Sequence, residues 1–148
     1  MSTPQRRKLR EPATNTTYLL SHATEILNRR ILEGVVAAGH EIRAAHAAVF
    51  INIDREGSRL TTIAERAAMT PQAMGELVDD LCRRGYLERV ADPDDRRAKL
   101  ILLTDRGWDA LQAAYDTIID IEADLEAQLG RAGLARVQRT LRGIAGDI

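Results

Sequence analysis

The sequence contains little cysteine, few aromatic residues and no long apolar run. Its 148 residues include one Cys, one Trp, one Phe, three Tyr and four Pro. A single thiol cannot close an intrachain disulfide, so a disulfide-stabilised scaffold is excluded. The longest apolar stretch, 44–53, is about half of the roughly 20 residues that a membrane helix needs. No apolar segment follows the basic residues at 6–10 as it would in a secretory signal. We therefore expect a cytoplasmic protein without membrane contact.

Charge is balanced overall but unevenly distributed along the chain. The 21 basic and 22 acidic residues give a net charge of -1, which argues neither for nor against binding to nucleic acid. Ten of the basic residues lie in 6–10 and 83–99, whereas 107–130 contains six acids and no Lys or Arg. A chain that separates its charges in this way can present a basic face although its net charge is near zero.

Apolar spacing and turn residues predict a mainly helical (α+β) chain. Apolar residues recur every three or four positions over most of its length, whereas the β-prone runs 86–90 and 99–103 flank a Pro- and Asp-rich segment typical of a hairpin tip. The helix starts are supported by capping residues at Thr61, at Thr70 followed by Pro71, and at Thr104. The predicted helices are 16–38, 41–53, 63–67, 71–84, 105–129 and 134–148, with breaks at Gly39, Gly85, Gly130 and Gly133.

The two short helices in the middle of the chain have the pattern of a helix-turn-helix. The small residues Ala64, Ala67 and Ala68 fall where two helices must cross closely at a tight turn. With the hairpin that follows, the unit becomes a winged helix, whose second helix enters the major groove while the wing reaches an adjacent groove or the backbone. The side chains that we expect to face the core are Ile63, Ala64, Ala67, Met69, Met74, Leu77 and Leu81.

The stretch 59–107 resembles the MarR family of bacterial transcriptional regulators. The motifs that carry the resemblance are Thr70-Pro71-Gln72, Leu81-x-x-x-Gly85, Asp92-Pro93-x-Asp95-Arg96-Arg97, Lys99 and Leu103-Thr104-x-x-Gly107. The resemblance implies a homodimeric DNA-binding regulator, expected to be a repressor, that binds a palindromic operator. The implied organisation is a flexible basic arm at 1–13 and a single domain at 14–148, in which a winged helix-turn-helix at about 41–104 is flanked by dimerisation helices at about 14–38 and 105–148.

The resemblance also assigns DNA contacts to the predicted wing. Family members hold an arginine in the minor groove and orient its guanidinium with an aspartate two residues earlier, which here implies Arg97 and Asp95. A narrow minor groove concentrates negative potential and so favours an inserted Arg. Arg89, Arg96 and Lys99 would then contact phosphates. The alternative is a solvated hairpin tip with a local Asp–Arg pair.

The second helix of the motif differs from many relatives in its acidic outward face. That face is predicted to carry Thr70, Gln72, Ala73, Glu76 and Asp80. Gln72 can pair with an adenine edge, and Ala73 can touch a thymine methyl group. Glu76 stands where many relatives have a basic residue; a carboxylate there repels phosphates, although it can accept a hydrogen bond from cytosine N4. An alternative function therefore stays open, a winged-helix protein-interaction module with little DNA affinity.

Two further surfaces follow from the resemblance. Many family members release DNA when a small molecule fills a cleft beside the dimer helices. The residues that could line such a cleft, and could equally be plain core, are His22, Ile26, His46 and Phe50. The dimer interface is expected along an aliphatic stripe of the last helix, which could instead pack on the chain's own preceding helix. This stripe consists of Leu134, Val137, Leu141, Ile144 and Ile148.

No sequence feature points to catalysis or to a bound cofactor. The three His are too dispersed for a zinc site, and only one thiol, that of Cys82, is present. No nucleophile elbow, phosphate loop or dinucleotide-binding glycine pattern occurs. Cys82, at the end of the second helix of the motif, is expected to be inert. We therefore expect no enzyme activity, no metal and no cofactor.

Overall fold

The computed structural model describes residues 14–146. The predicted basic arm at 1–13 and the last residue of the aliphatic stripe, Ile148, lie outside the described residues. The elements, in chain order, are α1 (Thr16–Ala37), a 3₁₀ turn (Ala44–His46), α2 (Ala47–Asn52), α3 (Leu60–Arg66), α4 (Pro71–Arg83), β1 (Leu87–Ala91), β2 (Lys99–Leu103) and α5 (Asp105–Ala145). At Gly130, α5 has non-helical backbone angles, φ 70° and ψ 158°. This residue divides α5 into a long arm (105–129) and a terminal arm (131–145).

Local sequence signals account for most of the helix ends. The side chain of Thr70 accepts a hydrogen bond from the backbone N–H of Ala73 (3.2 Å), and Pro71 occupies the first turn of α4. The side chain of Thr104 accepts in the same way from the N–H of Gly107 (3.2 Å) at the start of α5. Gly85 ends α4 with a φ of +80°, a left-handed conformation that glycine adopts without steric cost. These predicted caps and stops are confirmed.

The predicted helix at 41–53 is shorter than expected. Residues 41–43 are extended because the hydroxyl of Tyr86 accepts from the backbone N–H of Glu41 (2.8 Å) and the ring Nδ1 of His46 accepts from that of Arg43 (3.3 Å). These two hydrogen bonds satisfy amides that would otherwise begin a helix. The helical segment therefore begins with the 3₁₀ turn and continues as the six-residue α2.

Two other predicted boundaries are wrong by a few residues. The helix α3 begins at Leu60, where the carbonyl of Arg59 accepts from the N–H of Ile63 (3.1 Å), so Thr61 lies inside the helix and does not cap it. Gly133 is helical, because the break in α5 lies at Gly130, whose φ is positive.

The core lies between the helix-turn-helix and the hairpin. Strands β1 and β2 pair antiparallel with Leu87 opposite Leu103, and Ser58 adds a short bridge to Ile101. Five of the seven predicted inward-facing residues of α3 and α4 are buried, and the other two, Ala67 and Met69, are partly buried against them. The fully buried side chains with the largest volumes include Ile63, Met74, Leu81, Tyr86 and Ile101.

Two glycines allow α5 to pack closely on the rest of the chain. A Cβ on Gly107 would lie 2.2 Å from the carbonyl oxygen of Tyr86, at the base of the wing. A Cβ on Gly34 in α1 would lie 2.0 Å from the hydroxyl of Thr117 in α5. The N-terminus of α5 therefore lies directly against the winged helix, while its long arm packs on α1. Within residues 14–146, no helix is long and apolar enough to cross a membrane.

Candidate nucleic-acid interface

The N-terminal half of α4 presents a polar face to solvent. Thr70, Gln72 and Glu76 are exposed and Ala73 is partly exposed, as predicted for the outward face of the second helix. The opposite face packs Met74 and Leu77 into the core. The exposed face begins at the helix N-terminus, where free backbone N–H groups and the helix dipole favour a phosphate.

Asp80, which was also predicted on this outward face, is nearly buried. Its side chain is only 12% exposed and accepts hydrogen bonds from four neighbours. The Oδ2 atom lies 3.0 Å from the Nη2 of Arg43 and 3.0 Å from the Nε2 of His46, whereas Oδ1 lies 3.0 Å from the Nε of Arg84 and 3.3 Å from the Nη2 of Arg83. Asp80 therefore faces the 3₁₀ turn before α2 and cannot face DNA.

The surroundings of Asp80 and His46 determine how both groups ionise. The hydrogen bond from Arg84, with those from His46 and Arg43, holds the pKa of Asp80 well below its usual range despite desolvation. His46 is fully buried, and burial lowers the pKa of its imidazole below the usual 6.5, against the opposing effect of the hydrogen bond to Asp80. A neutral ring with its proton on Nε2 donates to Asp80 while Nδ1 accepts from the backbone of Arg43; the Nε of Arg43, 3.3 Å from the same Nε2, is then a neighbour without a hydrogen bond to the ring.

The wing is held to the helix-turn-helix by an ion pair that the sequence analysis did not identify. Arg59, just before α3, donates from Nε (2.8 Å) and Nη2 (2.6 Å) to Asp92, which is buried at the end of β1. The backbone N–H of Asp94 and the guanidinium of Arg59 lower the pKa of Asp92 from its usual value. Both nitrogens of Arg59 contact the same oxygen, Oδ2, and this buried ion pair sets the position of the hairpin tip relative to α3.

At the hairpin tip, Asp95 contacts the backbone of Arg97 and leaves its guanidinium free. One carboxylate oxygen accepts from the backbone N–H of Arg97 (3.0 Å), and the other lies 3.8 Å from Arg59. That Asp95 orients the guanidinium of Arg97 on DNA stays a prediction; in the free chain, the short aspartate side chain closes a turn with the amide two residues on. The side chains of Arg96, Arg97 and Lys99 are exposed on this tip.

Arg89, predicted to contact phosphate, is paired within the chain. Its Nη2 lies 2.7 Å from Asp79 of α4, and its Nη1 lies 3.9 Å from the sulfur of Cys82. The pair joins the outer surface of β1 to α4, so Arg89 reaches a phosphate only in competition with Asp79. Burial raises the pKa of the Cys82 thiol, which disfavours the nucleophilic thiolate.

A cavity of about 900 Å³ lies between α1, the segment 42–56 and the first part of α5. Of the four residues predicted for an effector cleft, only Phe50 lines this cavity. His46 points to the opposite side of its segment, into the contact with Asp80, and His22 and Ile26 lie farther towards the exposed start of α1. The apolar walls of the cavity come chiefly from Ile31, Val35, Phe50, Trp108, Leu111 and Tyr115.

A broad apolar surface remains uncovered on α1 and α5. Val137, Leu141 and Ile144 of the predicted stripe are 40–61% exposed, and Tyr18, Leu19 and Ile119 are similarly exposed. Leu134 is different, because it is buried within the chain. Among the described residues, the terminal arm contacts the long arm through the hydrogen bond from Gln138 to Glu122 (2.8 Å), but Val137, Leu141 and Ile144 stay largely uncovered. Exposed apolar surface of this extent marks an interaction site.

Four residues that hold the recognition helix and the wing in place could not be identified from sequence patterns. Arg43, His46, Arg59 and Asp92 carry no motif of their own, since each acts through a partner more than 30 residues away. Of these four, only Arg59 could have been singled out from the sequence, because it is the first residue of the stretch 59–107 that resembles the MarR family.

Within the described residues, no group of three or more His, Cys, Asp or Glu side chains is arranged to hold a metal ion.

Comparison with known proteins connects this geometry to a family. Residues 40–98, which contain α2 to the wing tip, match the model of the MarR family. The central part of the chain is therefore similar to the MarR family. MarR proteins are transcription regulators and not enzymes, so the match agrees with the predicted resemblance, with a DNA-binding regulator function and with the expectation of no enzyme activity.

Individual transcriptional regulators are similar along most of the chain. YhbI of Bacillus subtilis, an uncharacterized HTH-type transcriptional regulator, is 27% identical over 121 residues, which are 81% of this chain and 75% of YhbI. The structure of apo MarR from E. coli has a TM-score of 0.72 at 19% identity and covers 90% of this chain and 98% of that one.

The repressor CouR has been solved with two different ligands. Bound to a 23-mer DNA duplex, CouR has a TM-score of 0.67 at 25% identity and covers 88% of this chain and 92% of its own. Bound to p-coumaroyl-CoA, CouR from Rhodococcus jostii RHA1 has a TM-score of 0.69 at 23% identity, covering 92% and 95%. The predicted fold, a winged helix-turn-helix flanked by N- and C-terminal helices, is confirmed.

Proposed function

We propose that this MarR-family regulator is a homodimeric repressor that binds a palindromic operator. The observation that carries the proposal is the arrangement of two exposed elements side by side: the N-terminal face of α4, and a wing tip that carries three exposed cations, Arg96, Arg97 and Lys99. CouR, at 25% identity, is described as a transcriptional repressor and was solved on duplex DNA. The proposal implies a cytoplasmic protein.

In the proposed complex, α4 reads base edges and the wing supplies phosphate and minor-groove contacts. Thr70 and the α4 N-terminus bind backbone phosphate, Gln72 and Ala73 face the bases, and Glu76 lies beside them. Arg97 enters the minor groove, and Arg96 and Lys99 contact phosphates. Arg89 also contacts a phosphate once its ion pair with Asp79 has broken. Asp95 supports the wing by closing the turn before Arg97.

The proposed dimer joins α1 and the terminal arm of one chain with those of its mate. Val137, Leu141 and Ile144 supply a continuous exposed stripe, which Tyr18 and Leu19 of α1 extend. Burying this stripe in the dimer interface removes apolar surface from water, which stabilises the dimer by about 25 cal/mol per Å² of buried apolar area. We assign the winged helix-turn-helix to about 41–104 and the dimerisation helices to about 14–38 and 105–148. A two-fold dimer places two copies of α4 on one face, which fits an operator of two inverted half-sites.

The cavity of about 900 Å³ is proposed as the site of a small-molecule effector. Aromatic and aliphatic walls around Phe50, Trp108 and Tyr115 favour an apolar ring. Three arginines and three carboxylates also line the cavity: Arg29, Arg43, Arg55, Glu25, Asp54 and Glu56. Pockets of this size and character bind drug-sized molecules. CouR, with the same fold, is described as bound to p-coumaroyl-CoA.

The test is salt-dependent DNA binding by the full chain. Fluorescence anisotropy would compare a duplex covering the DNA upstream of the protein's own gene with a scrambled duplex, at several salt concentrations. We expect tighter binding to the native duplex and a linear fall of log K with log salt concentration, because phosphate contacts release counterions. A folded dimer that binds neither duplex would contradict the proposal and favour the protein-interaction module.

A further inference from the structure

The segment 42–53 separates the cavity from the recognition helix α4. One side of this segment lines the cavity through Ala44, Ala47 and Phe50. On the other side, His46 and Val49 are completely buried, and Val49 belongs to the same hydrophobic core as the buried residues of α4. A molecule in the cavity and the helix α4 therefore contact opposite sides of the same short stretch of chain.

Arg43 is the charged residue of this segment that both lines the cavity and contacts α4. It lines the cavity, yet its Nη2 donates to the Oδ2 of Asp80 on α4 at 3.0 Å. The other arginines of the cavity do not make this connection: Arg29 pairs with Glu25 within α1 (3.0 Å), and Arg55 lies in the turn after α2. The Arg43 side chain is 60% exposed, so a molecule in the cavity can reach its guanidinium, whereas Asp80 is 12% exposed and has three further donors, His46, Arg83 and Arg84.

We propose that Arg43 couples the cavity to DNA binding: the anionic group of a molecule in the cavity takes the guanidinium of Arg43 away from Asp80. Asp80 then keeps its hydrogen bonds from His46, Arg83 and Arg84 but loses the one from Arg43. The C-terminal end of α4 becomes less constrained, and the orientation of its DNA-reading face is less well defined. The inference rests on the proposed function, because it needs both an effector in the cavity and DNA on α4.

The coupling has a thermodynamic consequence. A ligand shifts an equilibrium only by its difference in affinity between two states, and here that difference is the contact with a released Arg43. DNA must therefore weaken binding of the anion by the same factor by which the anion weakens binding of DNA. An uncharged molecule of the same shape fills the cavity without engaging Arg43 and produces little of this effect.

The experiment uses naphthalene-2-carboxylate, and naphthalene-2-carboxamide as its uncharged counterpart, with the full-length protein and the operator duplex. In the wild type, saturating carboxylate should lower DNA affinity about fivefold, near the lower end of typical allosteric couplings, and the carboxamide should not. In Arg43→Gln, DNA affinity without ligand should already be reduced and the carboxylate should lower it no further. Arg43→Lys, which keeps the cation, should retain most of the response.

The matched control is Arg29→Gln, which also removes a cation of the cavity but breaks no contact with α4. It should respond to the carboxylate as the wild type does. Hydrogen exchange should be faster at the amides of 77–84 in Arg43→Gln and in the carboxylate complex. The proposal is overturned if the carboxylate acts equally on wild type and Arg43→Gln, or if it leaves the DNA affinity of the wild type unchanged. Failure of the proposed function looks different, since the ligand-free wild type would then show no salt-dependent DNA binding.

Discussion

The buried imidazole of His46 donates to a carboxylate oxygen of Asp80 at 3.0 Å and joins the turn before α2 to the recognition helix. The two residues are 34 positions apart, and three arginines, Arg43, Arg83 and Arg84, complete the cluster around the carboxylate. Because α4 is the element proposed to read DNA, this cluster determines how firmly that helix is held. Its ionisation should therefore be visible in the stability of the protein.

Stability should fall as the solution is acidified below about pH 6.5. The pKa of His46 is lowered in the folded protein, so the unfolded chain binds more protons below 6.5, and the stabilisation present above that pH is lost as pH falls. The groups that face the ring are Asp80, Arg43 and Arg84, and the lowered pKa of Asp80 adds a further loss in stronger acid, below 3.8. Urea denaturation at fixed protein concentration and several pH values measures the trend.

The variant His46→Gln should flatten this dependence between pH 7.5 and 5, whereas His22→Gln, at an exposed position of α1, should leave it as in the wild type. An unchanged pH profile for His46→Gln would show that another group is responsible.

Removing the strain at Ala68 should stabilise the fold. Ala68 lies in the turn between α3 and α4 with a φ of +52°, a left-handed conformation that costs a non-glycine residue about 1 kcal/mol. Ala68→Gly should raise the free energy of unfolding by about 0.5–1 kcal/mol. The neighbouring change Ala67→Gly, at a right-handed residue with φ -80°, should lower the free energy of unfolding instead. Glycine there increases the conformational entropy of the unfolded chain and removes a methyl group that packs in the folded protein. Thermal denaturation distinguishes the two signs.

Arg97→Ala should weaken operator binding by about 1–3 kcal/mol, the range of a well-made specific arginine contact. Asp95→Ala should cost less, because Asp95 only closes the turn before Arg97. Arg29→Ala, which removes a cation paired with Glu25 in α1, should leave the affinity unchanged. Fluorescence anisotropy at physiological salt measures all three, and wild-type affinity for Arg97→Ala would mean that the wing does not enter the groove.

Glu76→Gln should strengthen binding to cognate and scrambled duplexes alike, by about 0.5 kcal/mol, because an exposed carboxylate beside phosphates is repelled through water. If Glu76 instead accepts a hydrogen bond from a cytosine, the same change should weaken cognate binding by about 1–3 kcal/mol and relax preference at one base pair. The sign of the change on the cognate duplex therefore decides between repulsion and readout. No change on either duplex would place Glu76 away from the DNA.

Leu141→Glu should dissociate the proposed dimer at about 10 µM protein, because it puts a charge into the exposed apolar stripe of the terminal arm. Deletion of 131–148 should go further and give unfolded or aggregating protein. Ala91→Glu, at an exposed position of β1, should remain dimeric. Sedimentation and light scattering report the mass, and a well-behaved monomeric wild type would contradict the interlocked dimer.

The sequence alone determined the features whose causes are local. Thr70 with Pro71, Thr104 and Gly85 act on amides and backbone angles within a few residues, so the ends of α4 and the start of α5 could be read directly. The apolar spacing likewise identified the buried side of α3 and α4, because a helical period assigns each side chain to a face. These features, with the wing motif, carried the resemblance to the MarR family.

Only the tertiary structure decided where the charged side chains point. By its type, Asp80 would be assigned to solvent, but folding brings Arg43 and His46 to within about 3 Å and makes burial of its carboxylate favourable. In the same way Asp92 is buried by Arg59, a partner 33 residues away. The energy of a charge depends on its neighbours in space, and helical periodicity carries no information about neighbours from other elements.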